Sequence, residues 1–268
     1  MLKLTAITMN EIELERKLNK PFNKTFGGVL EESIELFKKV WLQGLLSALI
    51  GGLVMMPIVF LMYIPMIVIM VPLGLVAESG QFSEETSIGV AIVLSVLMFV
   101  FMICMMGVML GVQFSFRAAF YRICKTKDFT NSSESDDYFF FLKKKNFKKL
   151  FVLGLYTMLI IVVGLFLFII PAIILAVPLM YLPVVFSFNQ ELSARDLLKM
   201  SFKIGMKYWW LTMGISIVAY FLAMFVGLLA CGIGIYVTMS FIYIPLYIMY
   251  KEAIGFSDEN SIDEIGRE

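Results

Sequence analysis

The residues whose types and spacing could do chemistry in this sequence are basic, and they come in two groups. Lys143, Lys144, Lys145, Lys148 and Lys149 form one run, and Arg195, Lys199, Lys203 and Lys207 recur every four residues in another. Bases beside apolar segments attract anionic lipid head groups, at about 1 kcal/mol each near a membrane surface. The same residues also anchor a topology, and both roles follow from one charge distribution. These nine side chains are the candidate head-group contacts.

The groups that most hydrolytic and metal-assisted chemistry needs are missing. The chain has no His, which removes the commonest general base and a frequent metal ligand. Its three cysteines, Cys104, Cys124 and Cys231, lie far apart without metal-ligand or redox spacing, and read as packing residues. Met98, Met102, Met105, Met106 and Met109 share one apolar run, but a soft-metal path would want a partnering Cys or His. The expectation is therefore no catalytic residue, no cofactor, no metal and no nucleic-acid partner.

What must position the basic clusters is a membrane. Of the 268 residues, 60% are hydrophobic and only 16% charged, against about a quarter charged in an ordinary soluble domain. Residues 42–77, 88–116, 150–189 and 209–250 contain no Lys, Arg, Asp, Glu or His. A crossing helix needs about 20 apolar residues, so the last two runs each hold two crossings. Breakpoints lie at 166–171, where Pro171 disfavours helical geometry at Ile170, and at 227–234, where Gly232 and Gly234 permit a turn. Run 42–77 contains Pro57, Pro65 and Pro72, and reads as one long kinked helix or as a crossing plus a re-entrant piece.

The expected fold class is all-α: a polytopic protein with six transmembrane helices in three hairpins. All 22 Lys and Arg then fall on one side, while residues 78–87 on the other carry three glutamates and no base. By the positive-inside rule both termini are cytoplasmic. The N-terminal residues lack the apolar core of a cleavable signal and are expected to stay on the chain.

Each hairpin is preceded on the basic side by an amphipathic stretch. The first is 29–41, with Leu30, Ile34, Phe37 and Trp41 at helical spacing; the second is 135–151, opened by Asp136 and Asp137. The third is 193–208, where Ser193 and Asp196 have capping-box-like spacing. The expected organisation is a cytoplasmic segment 1–26, a membrane domain 27–254 in units 27–126, 133–190 and 193–254, and an acidic cytoplasmic tail 255–268. Ser33, Lys39 and Trp41 match Ser201, Lys207 and Trp209 at one constant offset.

Small residues at helical spacing let helix backbones approach closely. Gly44, Ala48 and Gly52, then Gly107 and Gly111, then Ala219, Ala223 and Gly227 are the candidate helix-packing positions. Gln43, Thr157, Thr212, Ser216, Tyr220 and Thr238 could line a cavity or bond their own helix backbone.

The second half resembles the six-helix membrane domain attached to some bacterial glycerophosphodiester phosphodiesterases, and the stand-alone bacterial inner-membrane proteins similar to it. The resemblance rests on Ile169, Ile170 and Pro171, on Ser193 and Ser201, on the Gly-Ile-Gly of 232–234, and on Pro245 and Tyr250. It implies the six-helix architecture and a bacterial inner-membrane location. It carries no catalytic residue, because the phosphodiesterase barrel is a further domain of about 250 residues that needs His.

The expected function is non-enzymatic: a scaffold, accessory subunit or envelope-biogenesis factor contacting membrane lipids or other membrane-protein subunits. A permease or lipid transporter with a cavity between the hairpins is the alternative, weakened by the absence of any ionisable group at depth. The resemblance alone adds a third reading, the membrane half of a split phosphodiesterase.

Overall fold

The computed structural model describes residues 16–19, 21–79, 84–129, 137–142, 144–167, 169–230, 232 and 234–256, with backbone alone for 66, 70, 72, 73, 75–79, 84–88, 144, 145 and 169. All regular structure among these residues is helical. Two long helices open the chain, α1 (Phe26–Ser79) and α2 (Glu84–Phe129), of 54 and 46 residues. They measure about 81 and 69 Å at 1.5 Å per residue, more than twice the hydrocarbon thickness of a bilayer. After a 3-10 turn at Phe140–Leu142 come α3 (Lys144–Phe166), α4 (Ile169–Met180), α5 (Leu182–Phe188), α6 (Ala194–Lys207) and α7 (Trp209–Leu229). The chain then makes α8 (Gly234–Thr238), a 3-10 stretch (Met239–Tyr243) and α9 (Ile244–Ile254).

Among the described residues, five helical stretches are long and apolar enough to cross a membrane: Phe26–Ile69, Gly89–Phe129, Asn146–Phe166, Ile170–Phe188 and Trp209–Leu229. The second half of the last apolar run, from Gly234 onward, is divided by its 3-10 stretch and forms no single helix of that length.

Run 42–77 lies within one continuous helix, so the re-entrant alternative falls. α1 passes through Pro57, Pro65 and Pro72 without interruption. Helical proline is tolerated where the residues around it have no better hydrogen-bonding solvent than the helix itself. The chain turns after Phe166, and Ile170 is already helical. Pro171 falls in the first turn of α4, where its missing N–H removes no bond. At the other breakpoint Gly232 adopts φ 78°, a left-handed conformation that costs glycine little.

The first amphipathic stretch is no separate surface helix, because α1 continues straight through it. Its buried face is also one residue out of the expected phase. Val29, Ser33, Leu36 and Val40 are buried, whereas Ile34 and Trp41 are exposed. The second stretch is a 3-10 turn followed by α3, so Lys148 and Lys149 sit in the first turns of an apolar helix. Ser135 and Asp136 lie outside the described residues. The third is a helix of its own: Ser193 caps α6 by accepting the Asp196 N–H at 3.3 Å, and Leu197, Met200, Ser201, Ile204 and Gly205 form its buried face.

Packing joins α1 to α2, α2 to α3 and α5, α3 to α4, α4 to α6, α7 to α8, and α9 back to α1. The main core lies towards one end of the molecule, where α1 residues 29–40 meet α2 residues 114–124, α5, α6 and α9.

Candidate functional site

The ends of α1, α2 and α9 meet in a charged cluster. Lys251, in the last turn of α9, donates to Asp128 Oδ2 at 2.7 Å and to Glu32 Oε1 at 3.4 Å. Tyr247, one turn earlier on the same face, donates to the same Asp128 oxygen at 3.0 Å. Lys24 pairs with Glu32 and reaches Glu252 Oε2 at 3.7 Å, while the Asn23 N–H donates to Glu252 Oε1 at 3.4 Å. Burial works against the Lys251 charge, but the hydrogen bond and negative charge of Asp128, with Glu32 behind them, outweigh it and raise its pKa above the ordinary 10.5.

Beneath this cluster lies an aromatic one. Phe188 stacks on Tyr250 with ring centres 5.6 Å apart and meets Phe256 edge-on at 4.7 Å; Phe129 meets Phe256 at 5.8 Å. Asn189 Nδ2 donates to the Tyr250 hydroxyl at 2.8 Å, which gives that buried O–H a partner.

Two cations on α2 border the aromatics. The Arg122 guanidinium lies 3.6 Å from the centre of the Phe140 ring, and Lys125 Nζ lies 4.5 Å from that of Phe256. Between them opens a recess of about 290 Å³ lined by Arg122, Lys125, Thr126, Phe129 and Phe188. The spacing places Arg122, Lys125, Thr126 and Phe129 on one helix face. Among the described residues, no cluster of His, Cys, Asp and Glu is arranged to hold a metal ion.

No family model, curated protein or solved structure matches this chain.

The basic groups singled out from sequence divide into exposed side chains and clasps. Lys148, Arg195 and Lys199 are exposed and Lys203 is half-buried. Lys149 instead donates to the carbonyls of Gln190 and Leu192, the latter at 2.8 Å, and so ties the start of α3 to the α5–α6 connection. Lys207 donates to the Leu18 carbonyl and lies 5.3 Å from the Tyr208 ring, fastening the N-terminal segment to the end of α6. Lys143 lies outside the described residues, and Lys144 and Lys145 are among those with backbone alone.

Of the small residues, Gly107 and Gly111 face α3. A Cβ on Gly111 would come within 2.8 Å of the Leu150 carbonyl oxygen, and one on Gly107 within 2.9 Å of Leu155. Gly154 returns the contact from α3, against the backbone of Gly107 and Gly111. Ala219 and Ala223 are buried, and a Cβ on Gly227 would lie 2.7 Å from the Ile235 Cα. Gly44 faces Ser240, but Ala48 and Gly52 are exposed. The buried line on α1 runs through Gly44 and Ser47, with Gly51 against Phe116, because a spacing of four drifts off a face that three and four together follow.

Several buried hydroxyls bond backbone. Thr238 donates to the Ala223 carbonyl at 2.7 Å and Ser187 to that of Ala118 at 2.8 Å. Thr212 bonds the Tyr208 carbonyl at 2.8 Å and meets the Tyr181 hydroxyl at 2.7 Å. Ser216 is buried, whereas Tyr220 is exposed among apolar neighbours on the outer face of α7. Gln43 Oε1 and Thr157 Oγ1 are buried with no hydrogen-bond partner.

Sequence reasoning missed the Asp128–Lys251 pair, the Arg122 and Lys125 recess, and Gly205, which packs against the backbone of Pro178. The i, i+3, i+4, i+7 set from Arg122 to Phe129 was visible as a pattern. Its aromatic wall, supplied by Phe188, was not.

Proposed function

We propose that this chain is a non-enzymatic, multi-pass protein of the bacterial inner membrane, with six crossings and both termini cytoplasmic, that serves as a scaffold or accessory subunit. The observation that carries the reading is the apolar exposure of the outer halves of α1 and α2. Leu53, Phe60 and Phe99 are 68%, 68% and 66% exposed, and similar side chains continue on several faces of both helices. Apolar surface on this scale belongs against lipid or partner helices rather than water. The crossings group as the α1–α2, α3–α4/α5 and α7–α8/α9 hairpins, the sixth being broken by its 3-10 stretch.

Two observations support the common side for the termini. The Lys24, Glu32, Lys251 and Glu252 cluster holds the beginning of α1 beside the end of α9. Lys149 holds the beginning of α3 beside the α5–α6 connection, so the basic segments gather. The lipid-facing role is tested by native-membrane extraction in a mild detergent, followed by mass spectrometry of the intact assembly. Stoichiometric lipid or a stoichiometric membrane subunit is expected; a bare monomer would sink the reading.

A further inference from the structure

We propose that the recess between Arg122, Lys125, Thr126, Phe129 and Phe188 binds the phosphate group of an anionic phosphate ester. Its volume of about 290 Å³ stands at the lower edge of ligand-sized clefts, roughly 300–1,000 Å³. It differs from the surface lysines in having two kinds of cation, three residues apart on one helix, set into an aromatic surround.

Each cation lies against a ring. Arg122 lies over Phe140, with Phe141 at 5.9 Å, and Lys125 lies over Phe256, with Phe188 at 5.9 Å. An aromatic face holds a cation without the hydrogen-bond geometry a carboxylate demands, so the in-plane N–H groups of the guanidinium can fork onto two phosphate oxygens. The ammonium supplies a point charge to the same group. Burial works against the Arg122 charge and the nearby Asp137 carboxylate favours it, while Asp137 Oδ1 accepts the Phe139 N–H at 3.1 Å in the turn before the Phe140–Leu142 segment.

The Thr126 hydroxyl is turned to the Arg122 carbonyl at 3.2 Å and fixes the backbone under the cations. Phe129 and Phe188 offer apolar surface to the carbon part of the ester. Phosphate chemistry is favoured over a lone carboxylate because a forked guanidinium alone satisfies a carboxylate, whereas a second cation matches the further oxygens of a phosphate.

Two sources share this chemistry, a lipid head group and a soluble phosphate ester. The test uses the full chain in two arms: line broadening of inorganic phosphate by phosphorus NMR in detergent, and retention of phosphatidylglycerol over phosphatidylcholine in nanodiscs by native mass spectrometry. Binding in at least one arm is expected, at least tenfold weaker in Lys125→Gln and Arg122→Gln, partly retained in Arg122→Lys, which keeps the charge and loses the fork, and unchanged in Lys38→Gln, which removes an exposed base on α1 outside the recess. Binding in the first arm identifies a soluble source; binding in the second alone identifies lipid. Lys125→Gln supplies a second, independent lining variant should Arg122→Gln fail to fold. Binding in neither arm, equal binding by all variants, or an equal loss in Lys38→Gln would overturn the proposal. It is independent of the scaffold reading, which stands or falls on copurification.

Discussion

Ser33 and Ser201 do the same job in two different helices. Both are fully buried; Ser33 Oγ donates to the Val29 carbonyl at 2.6 Å, and Ser201 Oγ to the Leu197 carbonyl at 2.9 Å. The same offset pairs further buried residues: Leu36 with Ile204, Val40 with Tyr208, Gly44 with Thr212 and Ser47 with Ile215. One pattern of burial thus occurs twice, but in α1 it runs through unbroken helix. In its second occurrence the chain breaks at Tyr208, φ −105° and ψ 25°, which separates α6 from α7.

This equivalence predicts matched mutational responses. Each hydroxyl bonds a carbonyl of its own helix, so Ser33→Ala and Ser201→Ala should each cost less than about 1 kcal/mol. Ser33→Leu and Ser201→Leu overfill closed sites and should each cost about 1–3 kcal/mol. Thermal unfolding of the detergent-solubilised protein measures both pairs, and a large effect at one site alone would show that the equivalence is only geometric.

The helical class and the turn positions were legible because they depend on local features: uncharged length, Gly232 in a left-handed turn, and Ser193 with Asp196 at a helix start. The phase of the first amphipathic stretch was not. Apolar periodicity chose Leu30, Ile34, Phe37 and Trp41, whereas the core took Val29, Ser33, Leu36 and Val40. In a helix beside lipid, large apolar side chains are welcome on either face, so hydrophobicity no longer marks the inside. Small residues mark it better, yet Gly52 faces open space while Gly154, on no stripe chosen from sequence, is pressed against α2. The Arg122 and Lys125 recess was hidden because its aromatic surround comes from α5, the Phe140–Leu142 turn and the end of the described chain.

The seam between α2 and α3 should be the least tolerant place for an added methyl group. A Cβ on Gly154 meets the Gly107 carbonyl and one on Gly111 meets that of Leu150, so relief requires the helices to separate. Gly154→Ala and Gly111→Ala should therefore lower stability by about 1–3 kcal/mol despite alanine's better helix propensity. Gly52→Ala, with nothing within 4 Å, should be neutral or slightly stabilising. Unfolding midpoints of the three variants decide the matter; equal effects would mean that the seam is looser than described.

Lys251 should stabilise the basic end in a pH-dependent way. Its side chain is 22% exposed and that of Asp128 16%, so removing either leaves a partly buried charge without its main partner. Lys251→Met should cost about 1.5–3 kcal/mol, the range for a hydrogen bond to a charged group. Because folding raises this pKa, the contribution is complete below the ordinary 10.5 and is lost as pH climbs through the higher folded value. Wild type should thus lose stability relative to Lys251→Met on the alkaline side, and parallel pH profiles would contradict the role given to the pair.

The sidedness of the whole molecule can be read from three exposed positions, Lys148, Arg195 and Lys199, which share the basic end yet belong to α3 and α6. Cys124 is buried and Cys104 half-buried, so single cysteines are introduced into a background in which the native ones are replaced by alanine. Lys148→Cys, Arg195→Cys and Lys199→Cys should react with an impermeant maleimide only in inverted vesicles, with the cytoplasmic face outward. Gly232→Cys, at the far turn between α7 and α8, should react only in right-side-out cells. The pattern follows from the proposed topology, in which an odd number of crossings separates residue 232 from the other three and the α5–α6 connection returns the chain to the side on which α3 began. Labelling of Lys199→Cys from outside the cell would overturn the proposed topology.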